Sequence, residues 1–297
     1  MPILLLLVVS LAAGLLIGLA FHRLAPAEGV TTALADAAGE ALESKLERTW
    51  WQMRTDPNLA TGLALTVAVA VMIGGGLLVA ILALLARGNA TLVSIDSSAA
   101  DWGHEHATQL STRLITWVTD LGDWPIVPLI GAVVLIYEWR RFSNRLLVAF
   151  LLVVFAGNEL VTLAIKDLVD RARPTLNPVA ATLGPSFPSG HSSTAASFYA
   201  ALALILARRR SARARAVLAG AAGAIAVAVA ASRVLLDVHW LSDVIAGVTL
   251  GWVWFTICAV AFGGRRLNFA EPVESAVAET GSAAGAQRRP PQPAAKV

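Results

Sequence analysis

The chain has 297 residues, of which 57% are hydrophobic and only 14% charged, with a net charge of +3 at pH 7. A soluble domain carries about 45–50% apolar and about 25% charged residues, so this composition points to the membrane and away from a water-soluble globule. The single Cys258 excludes an internal disulfide, and no basic stretch is interleaved with aromatics, which argues against a nucleic-acid partner.

In chain order, Leu4–Ala20 is the first apolar block. It lacks a basic n-region, which favours a membrane anchor over a cleaved signal. Residues 23–60 mix acids and bases (Asp36, Glu40, Glu43, Lys45, Glu47, Arg48), several at i,i+4 spacing, and read as a solvated or interfacial helix ending near Trp50 and Trp51. Leu63–Ala86 has the length that crosses a ~30 Å hydrocarbon core at ~1.5 Å per residue. Its Gly74, Gly75 and Gly76 are expected to permit close helix packing. Residues 95–118 are amphipathic, with Asp96 and Ser97 as N-cap candidates and Trp102 and Trp117 suited to the interface. Ile126–Trp139 is short for a span and is expected to extend back over Leu121. Leu146–Lys166 spans; residues 167–188 form a polar, proline-bearing loop; Ser192–Ala207, Ala214–Ala231 and Leu241–Phe262 span again. From Glu271 onward Ala, Gly, Pro, Gln and Ser dominate, a composition that predicts disorder.

Arginines orient the bundle. Arg140, Arg141 and Arg145 fill one short loop, Arg208, Arg209, Arg210, Arg213 and Arg215 another, and Arg265 and Arg266 follow the last span. The order of spans places all three clusters on one side, which the positive-inside rule makes cytoplasmic. The loops at 88–123, 167–188 and 233–240 then face outward.

Three polar clusters fall at these outward ends: Lys166 to Arg173-Pro174, Pro188-Ser189-Gly190-His191, and Ser232-Arg233 to His239 and Asp243. Lys166 and Arg173 are seven apart, on one helical face, and Pro174 ends the helix. Together they can hold an anion, the lysine as a point charge and the arginine as a fork for two phosphate oxygens. Pro188-Ser-Gly-His opens a helix whose unpaired N–H groups favour an anion, and Gly190 permits close backbone approach. His239 and Asp243 are neighbours at i,i+4, so the carboxylate can accept from Nδ1 and leave Nε2 as a nucleophile. Arg233 adds another fork. Two histidines, three cations and an orienting carboxylate suit phosphoryl transfer through a histidine.

These clusters resemble the signature of the type 2 phosphatidic acid phosphatase family, whose helical core is shared with vanadium haloperoxidases: Lys-x6-Arg-Pro, Pro-Ser-Gly-His and Ser-Arg-x5-His-x3-Asp. All eleven specified residues are present in order, and the resemblance covers roughly Leu63 to Phe262. It implies His239 as nucleophile, Asp243 as its orienting partner and His191 as general acid. It also implies Lys166, Arg173, Ser189, Gly190 and Arg233 as the phosphate-binding set, with no metal and no cofactor. The expected fold is an all-α, polytopic membrane bundle with six core transmembrane helices and an extra N-terminal helix. Residues 1–60 form an N-terminal anchor and charged segment, 61–265 a membrane phosphatase domain and 266–297 a disordered tail.

The expected reaction is hydrolysis of a lipid phosphate or diphosphate (phosphatidate, phosphatidylglycerol phosphate or undecaprenyl diphosphate) at the extracytoplasmic face of the cell membrane. The partners are the lipid phosphate and the surrounding membrane lipids; spacing leaves the oligomeric state open. A vanadate-dependent haloperoxidase, a lipid phosphotransferase and a non-catalytic lipid binder are alternatives on the same residues. Of the remaining polar groups, His104 and His106 point to different helical faces, which disfavours a metal site. Asp120 and Asp123 cap or line the outer loop, Asp167, Asp170 and Arg171 form loop ion pairs, and Asn158 and Glu159, inside a span, bridge helices or contact substrate.

Overall fold

The computed structural model describes residues 1–24, 57–140, 145–177, 184–208 and 210–263. The charged segment between residues 25 and 56, Arg141, Arg209, Arg265, Arg266 and the 266–297 tail lie outside them. Among the described residues all regular structure is helical: α1 (Pro2–Leu24), α2 (Pro57–Leu85), α3 (Ala90–Glu105), α4 (Gln109–Asp120), α5 (Ile126–Trp139), α6 (Arg145–Val169), α7 (Gly190–Ala207), α8 (Ala212–Leu235) and α9 (Leu241–Gly263). Five of these, α1, α2, α6, α8 and α9, are long and apolar enough to cross a membrane. The chain is thus an all-α, multi-pass membrane protein, with α5 and α7 as shorter or more polar members of the bundle.

Several boundaries differ from the sequence expectation. Helix α6 ends at Val169, where Asp170 turns the chain with φ of +44°, so Arg173 stands in the following loop and not on the helical face of Lys166. Asn89, not Asp96 or Ser97, caps α3, its side chain accepting from the Leu92 N–H at 2.9 Å. An earlier cap places Asp96 in mid-helix, where it is buried. Helix α5 starts at Ile126 and does not reach back over Leu121, because residues 121–125 turn sharply and Pro125 disfavours helical geometry in Trp124 before it.

Helix α7 is the centre of the bundle. Its first half is Ser192, Ser193, Thr194 and Ser197, all buried. Such hydroxyls are tolerated there because neighbouring helices, and not lipid, surround them. Asn158 of α6 accepts from the Ser193 hydroxyl at 2.6 Å and donates to Thr194 at 3.3 Å, while Thr194 donates to Glu159. The two in-span polar residues therefore bridge α6 to α7. Apolar side chains that would be core in a soluble protein point outward instead, among them Leu77, Leu152, Leu160 and Leu163.

Close approach sets the position of α9. A Cβ at Gly247 would lie 2.5 Å from the Ser189 carbonyl oxygen, and one at Gly251 2.3 Å from that of Ser193. Only glycine permits α9 to lie this near the start of α7. Helix α1 is seated on α8 by the same device, where a Cβ at Gly14 would come within 2.7 Å of the Gly220 carbonyl. Of the glycine triplet in α2, Gly75 is pressed against Val253, while Gly74 and Gly76 face open space.

Candidate active site

The C-terminal end of α6, the N-terminus of α7, the C-terminus of α8 and the N-terminus of α9 meet at one end of the bundle. Arg140, Arg145, Arg208, Arg210, Arg213 and Arg215 flank the opposite ends of α5, α6, α7 and α8. At the meeting point the three sequence clusters come together.

His239 lies in the short link between α8 and α9 and is 2% exposed. The carbonyl of Arg233 accepts from the N–H groups of Val238 at 3.2 Å and His239 at 3.3 Å, and Asp237 turns the chain with φ of +55°. Its Nδ1 is 3.5 Å from Oδ2 of Asp243 and 3.3 Å from the Ser186 hydroxyl; its Nε2 is 3.0 Å from Nη1 of Arg173. A guanidinium can only donate, so Nε2 is the acceptor and the ring proton sits on Nδ1, toward the carboxylate. Burial pushes the His239 imidazole down to about 3, helped by Arg173 and Arg233 and opposed by Asp243. The ring is therefore neutral, with its lone pair on Nε2.

Asp243 is held on every side. Its Oδ2 accepts from the Trp240 N–H at 3.0 Å and from the Ser186 hydroxyl, and its Oδ1 accepts from Arg171 at 2.6 Å. Its carbonyl accepts from the Ser189 N–H at 3.0 Å, which joins the first turns of α7 and α9.

Arg173 is the cation at Nε2, and Arg233 also acts on the ring. Arg173 also donates to the carbonyls of Val238 at 2.7 Å and Gly184 at 2.8 Å, and Lys166 donates to that of Pro185 at 2.6 Å. Burial lowers the Arg173 pKa, and Asp243 opposes this. Arg233 donates to Thr119 at 2.9 Å, while its buried Nε has no hydrogen-bond partner among the described residues. An unsatisfied buried guanidinium nitrogen fits a site shaped for an anion.

Ser189 caps α7, accepting from the Ser192 N–H at 3.4 Å and the Ser192 hydroxyl at 2.8 Å, so it builds the helix terminus whose Gly190 and His191 N–H groups lack intrahelical partners. His191 places Nε2 3.6 Å from Oδ1 of Asp123.

All eight residues expected at the site are thus gathered here. Sequence reasoning assigned no site role to Arg171, Ser186, Thr119 or Asp96. Arg171 and Ser186 lie inside or beside the motifs, but nothing in spacing marks them. His104 bonds Asp237 at 3.1 Å, and His106 stacks on Trp102 at 4.6 Å. They do not converge, and among the described residues no three His, Cys, Asp or Glu side chains gather as a ligand set.

A family model described as the PAP2 superfamily matches residues 146–267. Phosphatidylglycerophosphatase B of Bacillus subtilis is 34% identical over 149 residues, which are 48% of this chain and 71% of that protein. The chain belongs to the PAP2 superfamily. A lipid A 1-phosphatase of Rhizobium johnstonii is 36% identical over 131 residues, 40% of this chain and 49% of that protein. The crystal structure of a transmembrane PAP2 type phosphatidylglycerolphosphate phosphatase from Bacillus subtilis superposes with a TM-score of 0.59 at 29% identity, covering 67% of this chain and 99% of that one. This PAP2 chain is accordingly a membrane phosphatase. Its matched span begins at the start of α6, so every motif residue lies inside it and α1 to α5 lie outside.

Proposed function

We propose that the chain hydrolyses lipid phosphates or diphosphates through a phosphohistidine, at the extracytoplasmic face of a cell membrane. The observation that carries this reading is the pairing at His239: Nδ1 faces the Asp243 carboxylate while Nε2 faces Arg173 at 3.0 Å. A neutral imidazole with its lone pair among cations is poised to attack phosphorus once an anion draws those cations to itself.

In the first step Nε2 attacks in line, and the bond from phosphorus to the leaving oxygen breaks. Lys166, Arg173, Arg233 and the first-turn N–H groups of α7 stabilise the charge on the equatorial oxygens. Burial, with Arg233, holds the His191 imidazole down to about 4 before substrate binds. The bound phosphate anion offsets the cations, so His191 takes up a proton with the substrate and gives it to the leaving oxygen, while Asp243 stabilises the imidazolium on His239. In the second step His191 takes a proton from water, which attacks phosphorus; the bond to Nε2 breaks and phosphate leaves.

Two observations favour an outward-facing site and a lipid substrate. The arginine-flanked helix ends lie opposite the site, as the positive-inside rule requires of a cytoplasmic side. The site lies at the helix ends of a membrane bundle, where a phosphate headgroup reaches it from the leaflet. The named activities of the relatives, on phosphatidylglycerophosphate and on lipid A, are of the same class.

The test is phosphate release by the purified chain in detergent, without added metal, from phosphatidate, phosphatidylglycerol phosphate and undecaprenyl diphosphate. Release that disappears in His239→Ala, with an acid-labile, alkali-stable phosphoenzyme trapped in wild type, is the expected result. Release that persists in that variant contradicts it. For sidedness, Cys258 is 2% exposed and unreactive, so a cysteine placed at the exposed Leu176 reports alone. An impermeant maleimide should label it in intact cells, and label Arg213→Cys only after lysis.

A further inference from the structure

Asp96 lies on α3, outside the matched span, yet it is 1% exposed and reaches the site through a chain of hydrogen bonds. Its Oδ1 accepts from the Ser242 N–H at 2.8 Å; its Oδ2 accepts from the Ser242 hydroxyl at 2.6 Å and from Nη2 of Arg171 at 2.7 Å. Arg171 directs Nη1 to the Ser242 hydroxyl at 2.7 Å and to Oδ1 of Asp243 at 2.6 Å. With Oδ1 occupied, Oδ2 is the oxygen left for the Trp240 N–H, Ser186 and His239. The three charged side chains are each no more than 9% exposed.

Simple packing does not account for this set. Desolvating two carboxylates and a guanidinium is costly, and apolar residues of equal volume often serve stability as well or better. Apolar packing cannot fix the rotation of a carboxylate. The rest of α3 fits the same purpose. Ala100 and Gly103 share the buried face with Asp96, a Cβ at Gly103 would lie 3.5 Å from Leu235 Cα, and His104 bonds Asp237 at 3.1 Å. Helix α3 therefore braces both ends of the link that carries His239.

We propose that Asp96 and Arg171 are positioning residues for phosphoryl transfer. Asp96 fixes Arg171 and the first turn of α9, and Arg171 fixes the Asp243 carboxylate that orients His239. This rests on His239 acting as the nucleophile.

The test uses the full chain in detergent with phosphatidate. Asp96→Asn should lower kcat roughly 10–100-fold, as loss of an outer orienting partner typically does. KM should stay within about threefold, because the phosphate-holding cations are untouched. Arg171→Met should cost at least as much, and Arg171→Lys should recover part of the loss by restoring charge without the fork. In an Asp243→Asn background the further loss from Asp96→Asn should shrink to about threefold or less, because its effect runs through that carboxylate. Unchanged kcat in Asp96→Asn, or an equal loss in both backgrounds, overturns the proposal.

A second readout does not need turnover. Asp243, Arg173 and Arg233 face His239, and Arg171 acts on it through Asp243. Loss of the Arg171 charge by itself raises the midpoint of the ring, whereas loss of the fork alone frees the Asp243 carboxylate to turn from Nδ1 and lowers it. A ¹³C-histidine NMR titration, assigned with His239→Gln, should therefore show the His239 midpoint fall in Arg171→Lys, which keeps the charge. An unmoved midpoint overturns the positioning role, whereas a wild-type enzyme that releases no phosphate overturns the functional reading and leaves this titration to judge the rest.

Discussion

Arg173 donates to Nε2 of His239 across 3.0 Å, so the nitrogen proposed to attack phosphorus is held by the cation proposed to bind the phosphate. The bond assigns the ring proton to Nδ1 and keeps the Nε2 lone pair aimed at the guanidinium. When phosphate enters, the guanidinium exchanges a neutral acceptor for charged oxygens, and charge-assisted bonds are roughly twice as strong. Arg173→Ala should therefore lower kcat/KM by about 10²–10³-fold, the scale for losing one preorganised donor to transition-state charge. Arg173→Lys should recover little of it, because a point charge cannot span two oxygens. Steady-state kinetics on the two variants would show this, and full recovery with lysine would remove the fork from the account.

The buried neutral state of His239 has a consequence for acid stability. Its folded-state value of about 3 lies below the ordinary histidine value of 6.5. As pH falls from 6.5 toward 3, the unfolded chain takes up a proton that the folded chain refuses, so stability is retained above this window and lost on descending through it. At about pH 5 the loss is on the order of 1–2 kcal/mol. His239→Gln removes the group, and its thermal unfolding in detergent should show a smaller drop between about pH 7 and pH 5 than wild type does. Equal drops would mean that His239 does not titrate as its burial requires.

The motif residues are legible because each sits at or just beyond a span's end, where a polar group among apolar residues stands out. His239 with Asp243, and Lys166 with Arg173, do meet, but not on a shared helical face: α6 ends at Val169, so Arg173 reaches the Pro185 carbonyl beside Lys166 from the loop, and His239 stands in the link ahead of α9. Arg171 with Asp96 is not legible: the pair is 75 positions apart in the chain, and no periodicity connects an acid on one amphipathic helix to a loop arginine. The same holds for α7, whose serines read as an ordinary span although they face protein on all sides. Asp96 resembles a cap in the sequence because a short acid near a helix start is the usual capping signal, but Asn89 takes that place.

Asp123 stands beside His191 at 3.6 Å, on the side from which the leaving group departs if His191 is the proposed general acid. For a monoester that group is an alcohol, whereas for a diphosphate it carries a second phosphate whose charge the carboxylate repels. Asp123 is 46% exposed in its side chain, so screening holds the penalty to about 1 kcal/mol, or roughly fivefold. Asp123→Asn should raise turnover of undecaprenyl diphosphate relative to phosphatidate by about that factor. A ratio that does not move, measured side by side in one detergent, would place the departing group elsewhere.

The glycines of α9 offer a test of how closely chemistry depends on packing. A methyl at Gly247 meets the Ser189 carbonyl oxygen at 2.5 Å, and that atom belongs to a helix terminus which cannot rotate away. Gly247→Ala must push α9 from α7, lengthening the bond from the Ser189 N–H to the Asp243 carbonyl and shifting the carboxylate that lies beside Nδ1 of His239. Overpacking of this kind costs about 1–3 kcal/mol, and kcat should fall with it because Asp243 moves with the helix. Gly74→Ala is the matched control: its methyl meets nothing within 4 Å, so alanine's better helix propensity should leave stability equal or up to about 1 kcal/mol higher, with kcat unchanged. Thermal unfolding and turnover measured on both variants separate the outcomes. A Gly247→Ala enzyme with wild-type kcat would show that the α7–α9 contact is tighter than the reaction requires.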